Sequence, residues 1–182
     1  SLVGIRNLTH SYTDPRWILR SEVAESLNIA SGHGLTLDYV GVTDDQLAVI
    51  PELAAQQPEL KIVVDHLASP KIATGEKEPW SAVVAESAKL PNVSIKLSGL
   101  ATLSGVGWTA HDWQPYLQFV VDEFGSDRVL MGSDWPVSTL AGDFGQIWAA
   151  QLDVISVFTA EQQDDILYRT AERVYGLTCN SA

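Results

Sequence analysis

Short apolar runs alternate along this chain with stretches in which apolar side chains recur every three to four positions. The short runs predict five β-strands, over residues 2–5, 35–40, 60–64, 93–97 and 129–131. The longer periodicity predicts helices over about 21–32, 44–54, 80–90, 113–124, 144–157 and 160–175. Because the strands are apolar on both faces and alternate with helices, the pattern is typical of a parallel α/β sheet covered on both sides.

Polar and glycine residues mark the ends of these elements. Ser21 and Asp44 precede apolar helical spacing and are predicted to be N-caps. Gly32 and Gly34 follow the last periodic residues of the first helix, where a helix commonly stops.

Five βα units are fewer than the eight of a closed (β/α)8 barrel, which has about 250 residues. A barrel of five strands would leave two open edges, which proteins ordinarily avoid. The alternatives are an open five-stranded sheet, or a barrel from which three N-terminal units are absent. The chain begins within a predicted strand and its only methionine is Met131, which favours the second alternative. We therefore expect residues 1–182 to be a single, N-terminally truncated barrel domain.

Composition and charge exclude several classes of protein. The 182 residues are 46% hydrophobic and 19% charged, which is ordinary for a globular domain. The formal net charge of -12 argues against nucleic acid or an anionic membrane as a partner, since both require a basic surface. No apolar run reaches the roughly 20 residues of a membrane helix. The single cysteine, Cys179, forms no internal disulfide, so a cytoplasmic location is expected.

Ionisable residues lie at the carboxyl end of every predicted strand: Arg6, Asp38, Asp65 with His66, Lys96 with Ser98, and Asp134. Because these ends converge at one edge of a parallel sheet, the set predicts a site there. A structural role stays open for each residue alone, since Asp134 could cap the following helix and His66 could be a core histidine.

Motifs of other catalytic classes are missing from the sequence. It contains no H-x-H or H-E-x-x-H metal motif, no glycine-rich phosphate loop and no G-x-S-x-G elbow. The residues themselves therefore identify neither a cofactor nor a nucleophilic serine.

As a set, five segments resemble the amidohydrolase superfamily, in its amidohydrolase-2 branch of sugar lactonases. The matching segments are 4–6, 35–38, 64–67 with Pro70, 96–100 and 132–137, and residues 171–177 resemble the family's closing helix. The resemblance runs from end to end and implies strands four to eight of a (β/α)8 barrel. The family's H-x-H pair, at the end of its first strand, would precede this chain.

The resemblance also implies roles for particular residues. Asp134 would be the general base that activates water, and His66 would polarise the carbonyl of a sugar lactone. Arg6, Lys96 and Trp135 would bind the substrate. The resemblance implies one divalent metal, zinc, only if the H-x-H pair precedes this chain. The metal and its ligands therefore stay unknown. The oligomeric state is also open.

Two other functions fit the same sequence. A metal-dependent decarboxylase or hydratase of this superfamily would act on an unsaturated or aromatic acid. Alternatively, the chain would be a non-catalytic fragment that needs a partner.

Overall fold

Five parallel strands form one sheet in the computed structural model, which describes residues 2–177; Cys179 lies outside the described residues. The strands lie side by side in chain order: β1 (Gly4–Asn7), β2 (Thr36–Tyr39), β3 (Ile62–Val64), β4 (Val93–Leu97) and β5 (Val129–Met131). Every neighbouring pair is parallel, with Arg6 opposite Asp38 and Lys96 opposite Leu130. The predicted parallel α/β sheet is confirmed.

Nine α-helices connect and cover the strands within residues 2–177. They are α1 (Ser21–Gly32), α2 (Asp44–Leu47), α3 (Ile50–Gln56), α4 (Trp80–Ala88), α5 (Leu100–Leu103), α6 (Ala110–Phe124), α7 (Phe144–Ile155), α8 (Ala160–Asp164) and α9 (Thr170–Tyr175). A π-helical turn, Asp165–Arg169, joins α8 to α9. No helix in this part of the chain is long and apolar enough to cross a membrane.

The structure divides two segments that were predicted to be continuous helices. The segment 44–54 forms α2 and α3, with Pro51 in the first turn of α3, where its missing N–H costs no hydrogen bond. The segment 160–175 changes from α to π geometry at Asp165 and back at Thr170. A periodicity of three to four residues does not distinguish these cases, because a short break or a single π-turn changes the spacing of apolar residues only slightly.

Both predicted N-caps are wrong. Ser21 is the first residue of α1, and Arg20 occupies the cap position without a side-chain hydrogen bond. Asp44 is the first residue of α2, which Thr43 caps by accepting a hydrogen bond from the Gln46 N–H. The first predicted strand is displaced, since β1 begins at Gly4 and continues through Arg6 to Asn7. The second and third predicted strands are one or two residues too long, because the apolar run continues beyond the ladder.

Buried apolar side chains lie on both faces of the sheet and hold the strand ends in place. Val63, Val93, Leu97 and Val129 in the strands are fully buried, as are Leu53 and Trp113 in the helices. Below the carboxyl ends, Gln151 of α7 donates hydrogen bonds to the carbonyl oxygens of Leu97 (3.3 Å) and Gly132 (3.0 Å). This amide therefore ties the end of β4 to the loop that carries Asp134.

Candidate active site

A cavity of about 230 Å³ opens at the carboxyl ends of the strands. Five of the predicted ionisable side chains line it: Arg6, Asp65, His66, Lys96 and Asp134. Ser98, Ala171 and Tyr175 complete much of the remaining wall. The parallel register therefore gathers predicted side chains that are as far apart in the sequence as Arg6 and Asp134.

His66 and Asp134 face each other across this cavity. The His66 Nε2 atom lies 3.8 Å from Asp134 Oδ1, and the two side chains are 16% and 8% exposed. The other ring nitrogen, Nδ1, lies 2.9 Å from the Ser98 hydroxyl. At 3.8 Å these two atoms are too far apart for a hydrogen bond to each other. They are nevertheless close enough for both side chains to contact one small ligand.

His66 owes its direction to an unusual stretch of backbone. The four residues His66, Leu67, Ala68 and Ser69 all have positive φ, between 49° and 59°. Each non-glycine residue in this left-handed conformation costs roughly 1–2 kcal/mol. The turn is held by a 2.8 Å backbone hydrogen bond from Ser69 to His66, and by the Trp80 indole, which donates to the Leu67 carbonyl oxygen. Such strain is commonly found at functional sites.

Asp134 is also held in a left-handed conformation, with φ of 51°. It comes directly after the Gly132–Ser133 segment that leaves β5, and the Ser138 N–H donates to its carbonyl oxygen at 2.8 Å. The Asp134 carboxylate faces His66, just after β3. It does not cap the following helical turn, which has no side-chain cap.

A layer of paired charges lies beside the histidine. Lys96 Nζ is 2.7 Å from Asp65 Oδ1 and 3.4 Å from Asp38 Oδ2. Arg6 Nε is 3.6 Å from Asp65 Oδ2, and the Arg6 side chain is 45% exposed whereas Asp65 is 2% exposed. Because a buried carboxylate needs compensating charge, Asp65 holds both cations at the cavity. The Tyr175 hydroxyl donates a 2.6 Å hydrogen bond to Asp38 Oδ1.

Burial shifts the proton equilibria of several of these groups. Desolvation raises the pKa of Asp38 above its ordinary value, against the opposing effects of Lys96 and the Tyr175 hydrogen bond. Desolvation lowers the pKa of His66, although the charges of Asp134 and Asp65 oppose this. The pKa of Tyr175 is raised by burial and by its bond to Asp38. Burial therefore favours the neutral imidazole of His66 and the protonated hydroxyl of Tyr175.

A second cavity, of about 300 Å³, shares Arg6, His66 and Asp134 with the first. Its remaining wall is mainly apolar, and is formed by Val40, Val42, Leu103 and Val137 with Ser69, Gly99 and Thr102. The catalytic candidates thus stand between a charged cavity and a largely apolar one, a combination that suits a small molecule with polar and apolar parts.

The structure brings together four of the five predicted site residues. Arg6, His66, Lys96 and Asp134 share one cavity, whereas Trp135 is 67% exposed and lines neither cavity. A contact between Trp135 and substrate stays a prediction. Sequence reasoning missed Tyr175, because nothing in the pattern of the closing helix indicates that its hydroxyl reaches Asp38, 137 residues away.

A complete metal centre is not formed by the described residues. Within this part of the chain, no group of three His, Cys, Asp or Glu side chains is arranged to hold an ion. Catalytic zinc ordinarily uses three protein ligands, and here Asp38 and Asp65 are already paired with Lys96. The described residues alone therefore do not fit a zinc ion.

Comparison with known proteins places this chain in a family. The amidohydrolase family model of the amidohydrolase-2 type matches residues 2–177. The chain is 40% identical over 146 residues to L-fucono-1,5-lactonase of Burkholderia ambifaria, covering 80% of this chain and 50% of that protein. It is 31% identical over 159 residues to L-fucono-1,5-lactonase of Burkholderia multivorans, covering 77% of this chain and 52% of that protein.

A solved structure shows the same fold. The crystal structure of a Burkholderia multivorans amidohydrolase with bound zinc superimposes with a TM-score of 0.88 and 27% identity, covering 96% of this chain and 64% of that one. The chain spans about half the length of the curated relatives it matches. It corresponds to the C-terminal part of those relatives, and its five βα units are a portion of a (β/α)8 barrel. The match along residues 2–177, in sequence and in fold, shows that this chain belongs to the amidohydrolase family.

Proposed function

We propose that this chain carries the acid–base part of the active site of a hydrolase that opens a sugar lactone to its aldonic acid. The observation that carries the proposal is the facing pair of His66 Nε2 and Asp134 Oδ1, 3.8 Å apart in a cavity that Arg6 and Lys96 also line. Two relatives named L-fucono-1,5-lactonase support a sugar lactone, and L-fucono-1,5-lactone in particular, as the substrate.

The reaction begins with attack of water on the lactone carbonyl carbon. The Asp134 carboxylate takes a proton from this water as the new C–O bond forms. Negative charge develops on the carbonyl oxygen, where a neutral His66 imidazole can donate a hydrogen bond. Collapse of the tetrahedral intermediate then breaks the bond to the ring oxygen, which receives the proton from Asp134. The product is the open-chain acid, which releases one proton to solution at neutral pH.

The two cationic side chains suit recognition of the oxygen-rich substrate. Arg6 is nearly half exposed at the cavity, so its unpaired N–H groups can donate to sugar hydroxyl or carbonyl oxygens. Lys96 is only 17% exposed and is committed to Asp38 and Asp65. We therefore assign Arg6 to direct substrate binding and Lys96 to holding the two carboxylates in place.

The test is Asp134→Asn in the protein produced from its native reading frame. An amide is not a base and cannot take the proton from water, so we expect the kcat/KM for L-fucono-1,5-lactone to fall by about 10²–10⁴-fold. Proton release, followed with a pH indicator and corrected for spontaneous hydrolysis, measures the rate. The matched control is Asp153→Asn, since Asp153 is an exposed aspartate on α7 that lines neither cavity. It should retain the wild-type rate.

Two results would overturn the proposal. The first is an Asp134→Asn variant that hydrolyses the lactone at the wild-type rate while remaining folded. The second is a wild-type protein that leaves sugar lactones intact but decarboxylates or hydrates an unsaturated acid, with activity lost on chelation. That result would favour the metal-dependent alternative.

A further inference from the structure

Ser98 makes a buried contact with the ring of His66 that the proposed reaction does not yet use. It directly follows β4 and is 1% exposed, and its Oγ lies 2.9 Å from His66 Nδ1. Ser98 therefore contacts one nitrogen of an imidazole whose other nitrogen, Nε2, faces Asp134. The contact has two possible directions, because a hydroxyl can donate to a bare nitrogen or accept from a protonated one.

The surroundings of Ser98 favour donation by the hydroxyl. If Nδ1 carried the proton, the Ser98 O–H would need another acceptor, and among the described residues no other hydrogen bond of this side chain is present. A buried polar hydrogen without a partner costs about 1–3 kcal/mol. Donation to Nδ1 satisfies the hydroxyl and the ring nitrogen at the same time.

The second nitrogen of the ring favours the same arrangement. With a proton on Nδ1, the lone pair of Nε2 would point towards the Asp134 carboxylate at 3.8 Å, so two electron-rich groups would face each other. With the proton on Nε2, an N–H dipole faces that carboxylate, which is an attractive interaction. Burial also lowers the pKa of His66, which favours the neutral ring with a proton on one nitrogen only.

We propose that Ser98 is a positioning residue that donates its hydroxyl hydrogen to His66 Nδ1 and so keeps the imidazole proton on Nε2, towards Asp134. The consequence for catalysis rests on the proposed lactone hydrolysis. His66 then has a hydrogen to donate to the lactone carbonyl and no lone pair with which to take a proton from water. Asp134 is left as the only base of the pair, and the two roles cannot be exchanged.

The backbone beside Ser98 keeps the ring in reach of the hydroxyl. Gly99 follows Ser98 with φ of 68°, and a Cβ atom there would lie 2.6 Å from His66 Nδ1. The ring therefore rests directly on the Ser98–Gly99 backbone. The left-handed turn of residues 66–69 fixes the backbone that carries this ring.

The first measurement needs no substrate. Long-range ¹H–¹⁵N spectra of protein labelled at histidine distinguish a protonated from a bare ring nitrogen, and a His66→Gln variant assigns the signals of His66. We expect Nε2 protonated and Nδ1 bare at neutral pH, and in Ser98→Ala a loss of this preference. A wild-type spectrum with Nε2 bare would overturn the proposal whatever the enzyme hydrolyses.

The second measurement separates a positioning role from a purely structural one. Ser98→Ala should lower kcat for the lactone about 10–100-fold with little change in KM, since the substrate contacts remain but the imidazole proton is no longer fixed. Ser87→Ala removes another buried serine hydroxyl, on α4 and outside the cavities, and should leave kcat unchanged. Unchanged kcat in a folded Ser98→Ala protein would also overturn the proposal. Absence of lactone hydrolysis in the wild type would instead count against the proposed function, and the spectra would still decide the tautomer.

Discussion

Gly99 is the point at which the backbone comes closest to both members of the facing pair. A Cβ atom at this residue would lie 2.6 Å from His66 Nδ1, 2.9 Å from His66 Cγ and 3.2 Å from Asp134 Oδ2. Its φ of 68° is also in the region that favours glycine. Glycine is therefore required here for two separate reasons: a Cβ atom would clash with His66, and the positive φ is unfavourable for other residues.

Gly99→Ala should damage activity far more than stability. The left-handed alanine costs about 1 kcal/mol, but relief of the contact must displace His66, and a shift of roughly 1 Å can lower a rate about 10²-fold. Gly34→Ala is the matched control, because Gly34 has φ of 71° but nothing within 4 Å of an added Cβ. We expect similar losses of unfolding free energy in denaturant titrations, with kcat/KM reduced only in Gly99→Ala. Equal activities in the two variants would contradict the predicted clash.

For individual residues, the sequence indicated which charged side chains lie at the strand ends but not how these side chains are oriented. His66 and Asp134 were predicted because polar residues at the ends of parallel strands converge. Their facing geometry depends on positive φ values, which only a few per cent of non-glycine residues adopt, so the local sequence does not predict it. The contact of Tyr175 with Asp38 depends on the path of the chain through five βα units, so it has no local signal either.

Among the elements, α2 shows how the sequence can place a helix correctly and its cap wrongly. Thr43 and Asp44 are both acceptable N-cap residues, and either is followed by helical spacing. The buried Gln46 decides between them: its Oε1 accepts from the N–H of Val42 (3.0 Å) and of Thr43 (3.3 Å), completing a capping box. Burial of that side chain is a tertiary property, and Tyr39 of β2 also donates its hydroxyl hydrogen to the Gln46 carbonyl oxygen at 2.7 Å.

Thr43→Ala should lower the free energy of unfolding by about 1 kcal/mol, because the Gln46 N–H loses its side-chain acceptor. Thr43→Ser keeps the acceptor and should recover most of this loss. Asp44→Ala removes only an exposed ion pair with Lys71, at 2.9 Å, and should cost less. Chemical denaturation of the three variants measures the differences. A larger loss for Asp44→Ala than for Thr43→Ala would show that Asp44 is the cap after all.

The whole molecule presents a sheet with two edge strands, β1 and β5, and the edges are not equivalent. The π-helical turn Asp165–Arg169 packs against β5. On β1, no described strand pairs with the outer side, and Ile5 is 37% exposed with Leu2, just before the strand, 71% exposed. An apolar, unpaired edge of this kind is a template for pairing with another chain. The formal net charge of -12 opposes such pairing by repulsion between copies.

These opposing effects predict self-association that increases with salt when the 182 residues are expressed alone. Light scattering should give a mass above the 19.8 kDa of one chain, rising with protein concentration and from about 50 to 500 mM NaCl as the repulsion is screened. Ile5→Lys places a charge on the edge and should reduce the mass towards that of one chain. The control is Val106→Lys, which changes the net charge by the same amount at a fully exposed loop residue away from the strands. This variant should leave the measured mass unchanged. A single-chain mass at every salt concentration, or equal effects of the two lysines, would show that the edge of β1 does not drive association.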